Sequence, residues 1–119
     1  MVKYLDLEPV YFDLDKADIR PDASVTILKV LEYMKAFPNM NVQVQSHTDV
    51  KAGSSYNVKL SKRRAENTVA YLVSNGIDAS RLSGEGFGKT KLINECTTRE
   101  SCPDEKHQEN RRSEFIVME

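Results

Sequence analysis

Residues 41–65 read NVQVQSHTDVKAGSSYNVKLSKRRA. Val42 and Val44 alternate with Gln43 and Gln45, a period of two that predicts a strand with one buried face and one wet face. A sheet of this kind is covered by helices on one side only. From about Ser55 or Tyr56 the period lengthens, which predicts a helix running to Ser74 with Gly76 as its C-terminal stop. Advancing about 100° per residue, Val58, Ser61, Ala65, Val69 and Leu72 cluster on one stripe, the expected core face. Lys59, Arg63 and Glu66 fall on the far side, as a solvated face should.

Outward from this unit the pattern continues in both directions. Upstream, Val10, Tyr11 and Phe12 predict a short strand, followed by the polar stretch Asp13 to Lys16. Pro21 suits the first turn of a helix, where its missing N–H is not needed. Val25, Leu28, Leu31 and Met34 then recur at helical spacing, Ile27, Val30 and Phe37 widen the stripe, and Pro38 stops the helix. Downstream, Arg81 to Phe87 reads as a weak strand, residues 88–109 are polar and carry both cysteines, and Glu114 to Met118 forms a closing strand. The order predicts an α/β fold: a two-layer βαβαβ-β sandwich, its sheet mixed parallel and antiparallel, with helices on one face.

A chain of 119 residues makes one domain, long enough to bury roughly two-thirds of the surface its unfolded form exposes. Its formal net charge of −1 supplies no broad positive field, which argues against nucleic acid as a partner. No apolar run approaches a membrane span, and the opening MVKYLDLEPVYF lacks the form of a signal peptide. A domain cut from a longer chain and a cytosolic protein both fit that opening.

Asn57, Leu60 and Arg64 are spaced three and four apart and share one face of the second helix, roughly 100–110° from the core stripe. That shoulder is where a cleft between helix and loop is expected, and the loop carrying Asp49 leads into it. A carboxylate holds an ammonium, and a guanidinium holds a carboxylate through parallel hydrogen bonds. With the free N–H groups of the helix start, near Ser55 to Asn57, the set complements a zwitterion. The plainer alternative is that Asp49 and Arg64 pair with each other at the surface, worth at most about 1 kcal/mol.

Other reactive residues give weaker signals. Cys96 and Cys102 lie close enough either to close a disulfide, contributing roughly 2–2.5 kcal/mol, or to remain free thiols. His47 and His107 complete a zinc-type donor set with them, but the spacing fits no compact zinc pattern. Ser61 points toward the core as a small packing residue, and no Gly-x-Ser-x-Gly or His-Glu-x-x-His motif is present. Asp13 and Asp15 share a side of an extended segment beside Lys16, which a polar pocket rim explains without hydrolysis. The expectation is a binding domain without catalysis or cofactor.

The run HTDVKAGSSYNVKLSKRRAENTVAYL resembles the signature of OmpA-like domains, the family of peptidoglycan-associated lipoproteins, OmpA and flagellar-stator anchors. The matching features are Thr-Asp, Asn, Leu-Ser and Arg-Ala at the family's separations. YFDLDKADIRPD, GEGFGKTK and NRRSEFIV support it, so that the resemblance covers about Pro9 to Glu119. It implies a single peptidoglycan-binding domain over residues 1–119, taken from a longer envelope protein and lying in the periplasm. It implies noncovalent binding to the diaminopimelate of the stem peptide, with membrane contact only through the rest of the parent protein.

By the same resemblance Asp49 takes the ligand's ammonium and Arg64 its carboxylate, while Asn57 bonds the ligand or fixes the loop. Leu60 packs on the ligand's methylene chain, Asp15 lines the pocket, and Arg111 or its neighbour Arg112 completes it. An oxidising compartment favours the Cys96–Cys102 disulfide. The alternative is a disulfide- or zinc-stabilised protein-interaction domain that does not bind peptidoglycan. Two positions depart from the family pattern: Ala52 stands where glycine is usual, with Gly53 one later, and Ser46 replaces a common glycine before His47.

Overall fold

The structure, a computed structural model, describes residues 3–4 and 7–118. Its strands are β1 (Lys3–Tyr4), β2 (Val10–Tyr11), β3 (Asn41–Ser46), β4 (Leu82–Gly86) and β5 (Arg112–Met118). The helices are α1 (Ser24–Ala36), α2 (Ser54–Ser74) and the single turn α3 (Asp104–His107). The predicted α/β sandwich with a mixed sheet is what forms. β3 lies at the centre, parallel to β4 on one side and antiparallel to β5 on the other, and β5 in turn carries both β1 and β2 antiparallel.

The register explains how the layers separate. Val42 lies opposite Val117, Val44 opposite Phe115 and Ser46 opposite Ser113, which sets these side chains on one face of the pleat. Val42, Val44 and Phe115 join Val10, Phe12, Ile27, Val30, Met34, Ala65 and Leu72 in one apolar cluster. On the reverse face Gln43 and Gln45 are half-buried beside Ile116 and Glu114. That face is wet only in part, because Ile116, His47 and Arg112 are all buried.

Both helices roll relative to the stripes expected from periodicity. On α1 the buried residues are Thr26, Ile27, Val30, Leu31 and Met34, while Val25, Leu28 and Phe37 are exposed. On α2 they are Asn57, Leu60, Ser61, Arg64, Ala65, Thr68 and Leu72, while Val58 is exposed and Val69 half-buried. The N-terminal half of α2 therefore buries its polar shoulder as well as its small residues. Lys59, Arg63 and Glu66 are exposed, as expected.

Two glycines allow this packing. Gly76, at φ +102°, ends α2 in a Schellman motif, with its N–H donating to the Val73 carbonyl and that of Ile77 to the Leu72 carbonyl. Gly86 ends β4 against α2 so closely that a Cβ there would lie 2.4 Å from the Lys62 nitrogen. A side chain of β4's neighbour fixes the first helix too. Arg81 donates to the carbonyls of Met34, Phe37 and Met40, closing the C-terminal end of α1 just before Pro38.

Candidate functional site

The loop between β3 and α2 begins with His47, Thr48 and Asp49, all buried. Asp49 Oδ1 accepts the Lys51 N–H at 3.0 Å, folding the loop onto its own carboxylate. Its Oδ2 accepts from Arg111 Nη1 at 2.9 Å, an ion pair joining the end of β3 to the residue just before β5. Asn57, in the first turn of α2, donates to the Asp49 carbonyl at 3.3 Å and the Ala52 carbonyl at 2.9 Å. Of the two roles open to Asn57, these bonds perform loop fixing. The shift of glycine to Gly53 is accommodated here, since the Ala52 carbonyl becomes an acceptor and the Gly53 carbonyl accepts the Asn57 N–H.

Arg64 is fully buried. Its Nε donates to the Lys16 carbonyl at 2.9 Å, Nη1 to the His47 carbonyl at 2.9 Å, and Nη2 to the Asp13 carbonyl at 3.1 Å. Its guanidinium carbon sits 5.0 Å from the centre of the Phe12 ring. Burial lowers its pKa to about 10, with the attraction of Asp49 the strongest opposing influence, so it remains charged at neutral pH. The geometry corrects one sequence reading of this pair. Asp49 and Arg64 do not form a surface ion pair, because both are buried and Asp49 pairs with Arg111.

Arg111 and Arg112 diverge as strand alternation requires. Arg111 turns to Asp49, Asp104 and Gln108, whereas Arg112 lies 3.1 Å from Glu114. Burial works to lower the Arg111 pKa, but hydrogen bonds to Asp104 and Asp49 outweigh it and the pKa is raised. Leu60 is buried outside the main apolar cluster, on the helix face it shares with Asn57 and Arg64. Asp15 stands apart at the rim. It is exposed, adopts φ +58° and accepts from the Tyr56 hydroxyl at 3.3 Å. The segment holding it is a turn closed by Lys16 N–H on the Asp13 carbonyl, and not the extended run expected for Asp13 and Asp15. Asp15 lines a hollow of about 360 Å³ with Lys16, Ala17, Asp18, Arg63 and Asn67. A neighbouring hollow of about 480 Å³ is lined by Ser55, Tyr56, Lys59 and Arg63, so Arg63 faces solvent across two depressions.

Three participants were not marked as site residues by the sequence. Phe12 supplies the ring beneath Arg64, while Lys51 and Asp104 form an ion pair beside Arg111. Asp104 opens α3 within the polar stretch, where no periodicity marks it, and Lys51 lies in an irregular loop. Cys96 and Cys102 are joined in a disulfide immediately before Pro103 and α3. Their sulfurs are thereby removed from the zinc donor set, and among the described residues His47 and His107 do not gather with them. His107 Nε2 lies 3.1 Å from the Arg99 carbonyl, and Arg99 in turn donates to the Lys51 carbonyl at 3.3 Å. Ser61 donates to the Val58 carbonyl and accepts from the Gly88 N–H, a packing role that occupies its hydroxyl.

Comparison with known proteins places this geometry in a family. A peptidoglycan-associated lipoprotein of Rhizobium meliloti is 33% identical over 87 residues, covering 73% of this chain and 49% of that protein. One of Agrobacterium fabrum is 34% identical over the same length, with the same coverage of each. The chain spans about half the length of the curated relatives it matches. In three dimensions it is similar to the peptidoglycan-associated lipoprotein of Burkholderia pseudomallei, with a TM-score of 0.82 at 23% identity over 93% of this chain and 90% of that one. The model of the OmpA family matches residues 11–106, most of the domain, and the chain belongs to that family.

Proposed function

We propose that this domain binds peptidoglycan noncovalently through the diaminopimelate of its stem peptide. It does so in the periplasm as one domain of a longer envelope protein, tying the outer membrane or an envelope assembly to the cell wall without catalysis. The observation that carries this reading is the buried meeting of Asp49, Arg111 and Arg64 beside the start of α2. It is supported by kinship with proteins named peptidoglycan-associated lipoproteins.

The chemistry follows from what each group has left to offer. Arg64 uses three of its five N–H groups on backbone carbonyls, leaving one on each terminal nitrogen for a ligand carboxylate. Asp49 is neutralised by Arg111 in the free domain. A zwitterion entering between them exchanges one ion pair for two, placing its ammonium on Asp49 and its carboxylate on a guanidinium. Leu60 offers an apolar contact to the intervening methylenes, and Asp15 and Tyr56 border the approach.

Purified, protein-free peptidoglycan sacculi pelleted with the domain test the reading. Asp49→Asn keeps an acceptor for the Lys51 N–H and removes the charge. It is expected to weaken binding by roughly 2–5 kcal/mol, as loss of one partner from a desolvated charge pair does. Lys35→Ala, an exposed change on α1, is expected to leave binding intact. Equal binding by wild type and Asp49→Asn overturns the site.

A further inference from the structure

Arg111 is the most heavily committed side chain of the site. A guanidinium has five N–H groups, and each of those on Arg111 has an acceptor. Nε donates to the Phe12 carbonyl at 3.0 Å. Nη1 donates to Asp49 Oδ2 at 2.9 Å and Asp104 Oδ1 at 3.1 Å. Nη2 donates to Asp104 Oδ2 at 3.3 Å and Gln108 Oε1 at 3.2 Å. Any further carboxylate has to displace one of these acceptors.

The four acceptors differ in how firmly they are held. Phe12 contributes main chain. Gln108 is anchored by its own bond to the Phe12 carbonyl and by Arg20. The Asp49 side chain is only 6% exposed and is held by the Lys51 N–H. The Asp104 side chain is 59% exposed, yet it rests on an Arg111 side chain that is 3% exposed and a Lys51 side chain that is 15% exposed. Asp104 is therefore the replaceable acceptor, an exposed carboxylate seated on two sheltered cations.

We propose that Lys51 and Arg111 form a carboxylate-binding subsite, that Asp104 is its resident occupant, and that a carboxylate of the ligand displaces it. The proposal rests on the peptidoglycan reading above. Arg111 first, and then Lys51, hold the Asp104 carboxyl at about 2, so the occupant is ionised throughout the neutral range and competes with any anion. Displacing it into water costs little desolvation because it is already largely solvated. The ligand prevails because its carboxylate arrives with an ammonium for Asp49, which Asp104 cannot supply. Asp104 sets the strength and selectivity of the site by raising the threshold an incoming carboxylate must exceed.

Sacculus pelleting with Asp104→Asn and Lys51→Met tests this. Removing the competitor by Asp104→Asn is expected to tighten binding about fivefold, the scale of a partly exposed ion pair, and removing a receptor cation by Lys51→Met to weaken it about fivefold. Both substitutions break the same Lys51–Asp104 contact, so a contact that merely props the loop moves both in the same direction. Glu105→Gln, an exposed acid next in the chain, is expected to leave binding unchanged and controls for repulsion between the domain and the wall. The proposal is overturned if Asp104→Asn binds no better than wild type, if Glu105→Gln tightens as much, or if Lys51→Met binds as well as wild type. Failure of the wild type itself to pellet sinks the peptidoglycan reading and this proposal together.

Discussion

His47 shows how one residue couples the two faces of the sheet. Its carbonyl accepts from Arg64 on the side of the proposed site, while its ring stacks on Phe87 with centroids 5.5 Å apart. The Nε2 atom lies 3.2 Å from Glu114 Oε1, an ion pair when the ring is protonated. Arg112 and Lys91 also face it, and burial, the largest influence, pushes its pKa below the ordinary histidine value. A histidine whose pKa is lower folded than unfolded binds fewer protons in the native state. Its contribution to stability is complete above about pH 6.5 and is lost as pH falls through the folded pKa. Glu114 is also lowered, first by its contact with His47, but its effect falls at and below about pH 4.5. Thermal unfolding followed from pH 7.5 to 5.5 is therefore expected to show a declining midpoint for wild type and a flatter profile for His47→Gln. Identical profiles would contradict the assignment. None of this is legible in the sequence, where His47 reads as a metal candidate, because Glu114 and Phe87 reach it only through the sheet and the loop after β4.

At the scale of elements, the contact between β4 and α2 governs where the site stands, because it fixes the start of α2 against the loop. Strand and helix approach so closely at Gly86 that an added Cβ meets the Lys62 nitrogen at 2.4 Å and the Ser61 carbonyl carbon at 2.7 Å, both main-chain atoms that cannot step aside. Gly86→Ala is expected to cost about 3 kcal/mol, the upper end of overpacking, read from the urea midpoint. Gly53→Ser, with open space around its Cβ at the α2 N-cap, should fall within a few tenths of wild type or gain slightly from capping. Equal effects would mean that the strand does not press on the helix. Periodicity located both helices and β3 because alternation at Val42 and Val44, Pro21, Pro38 and Gly76 are local signals. It misjudged which faces are buried. The apolar Val25, Leu28 and Phe37 lie outside, while Thr26, Asn57, Arg64 and Thr68 lie inside. Arg64 is satisfied by the distant carbonyls of Asp13, Lys16 and His47, and Thr68 meets Ser113 across the layer, while Asn57 bonds to the loop just before it. A pattern that scores only hydrophobicity cannot register such partners.

For the whole molecule, the site is an assembly of segments far apart in sequence. The turn after β2, the loop after β3, the start of α2, and the disulfide-braced stretch through α3 to Arg111 all meet there. The family resemblance singled out Asp15, Asp49, Asn57, Leu60, Arg64 and either Arg111 or Arg112; the fold ties Asn57, Arg64 and Arg111 to the loop that carries Asp49 and leaves Asp15 at the rim. Their pairing could not be read from spacing, since Asp49 and Arg111 are 62 positions apart and Arg64 is held by carbonyls, which no side-chain motif records. Arg64 is thus as much a strut for three chain segments as a receptor, which is why the binding test turns on Asp49. In the proposed complex, one buried acid and its guanidinium neighbours receive the zwitterionic tip of the stem peptide. The most direct measurement is a ¹H–¹⁵N NMR titration of the domain with a soluble diaminopimelate-containing muropeptide. Saturable shifts are expected, centred on Asp49, Lys51, Asn57 and the Arg64 and Arg111 side-chain Nε–H signals. Saturable shifts confined to the opposite face, around Gln43, Gln45 and Glu114, or no shifts at all, would contradict this complex.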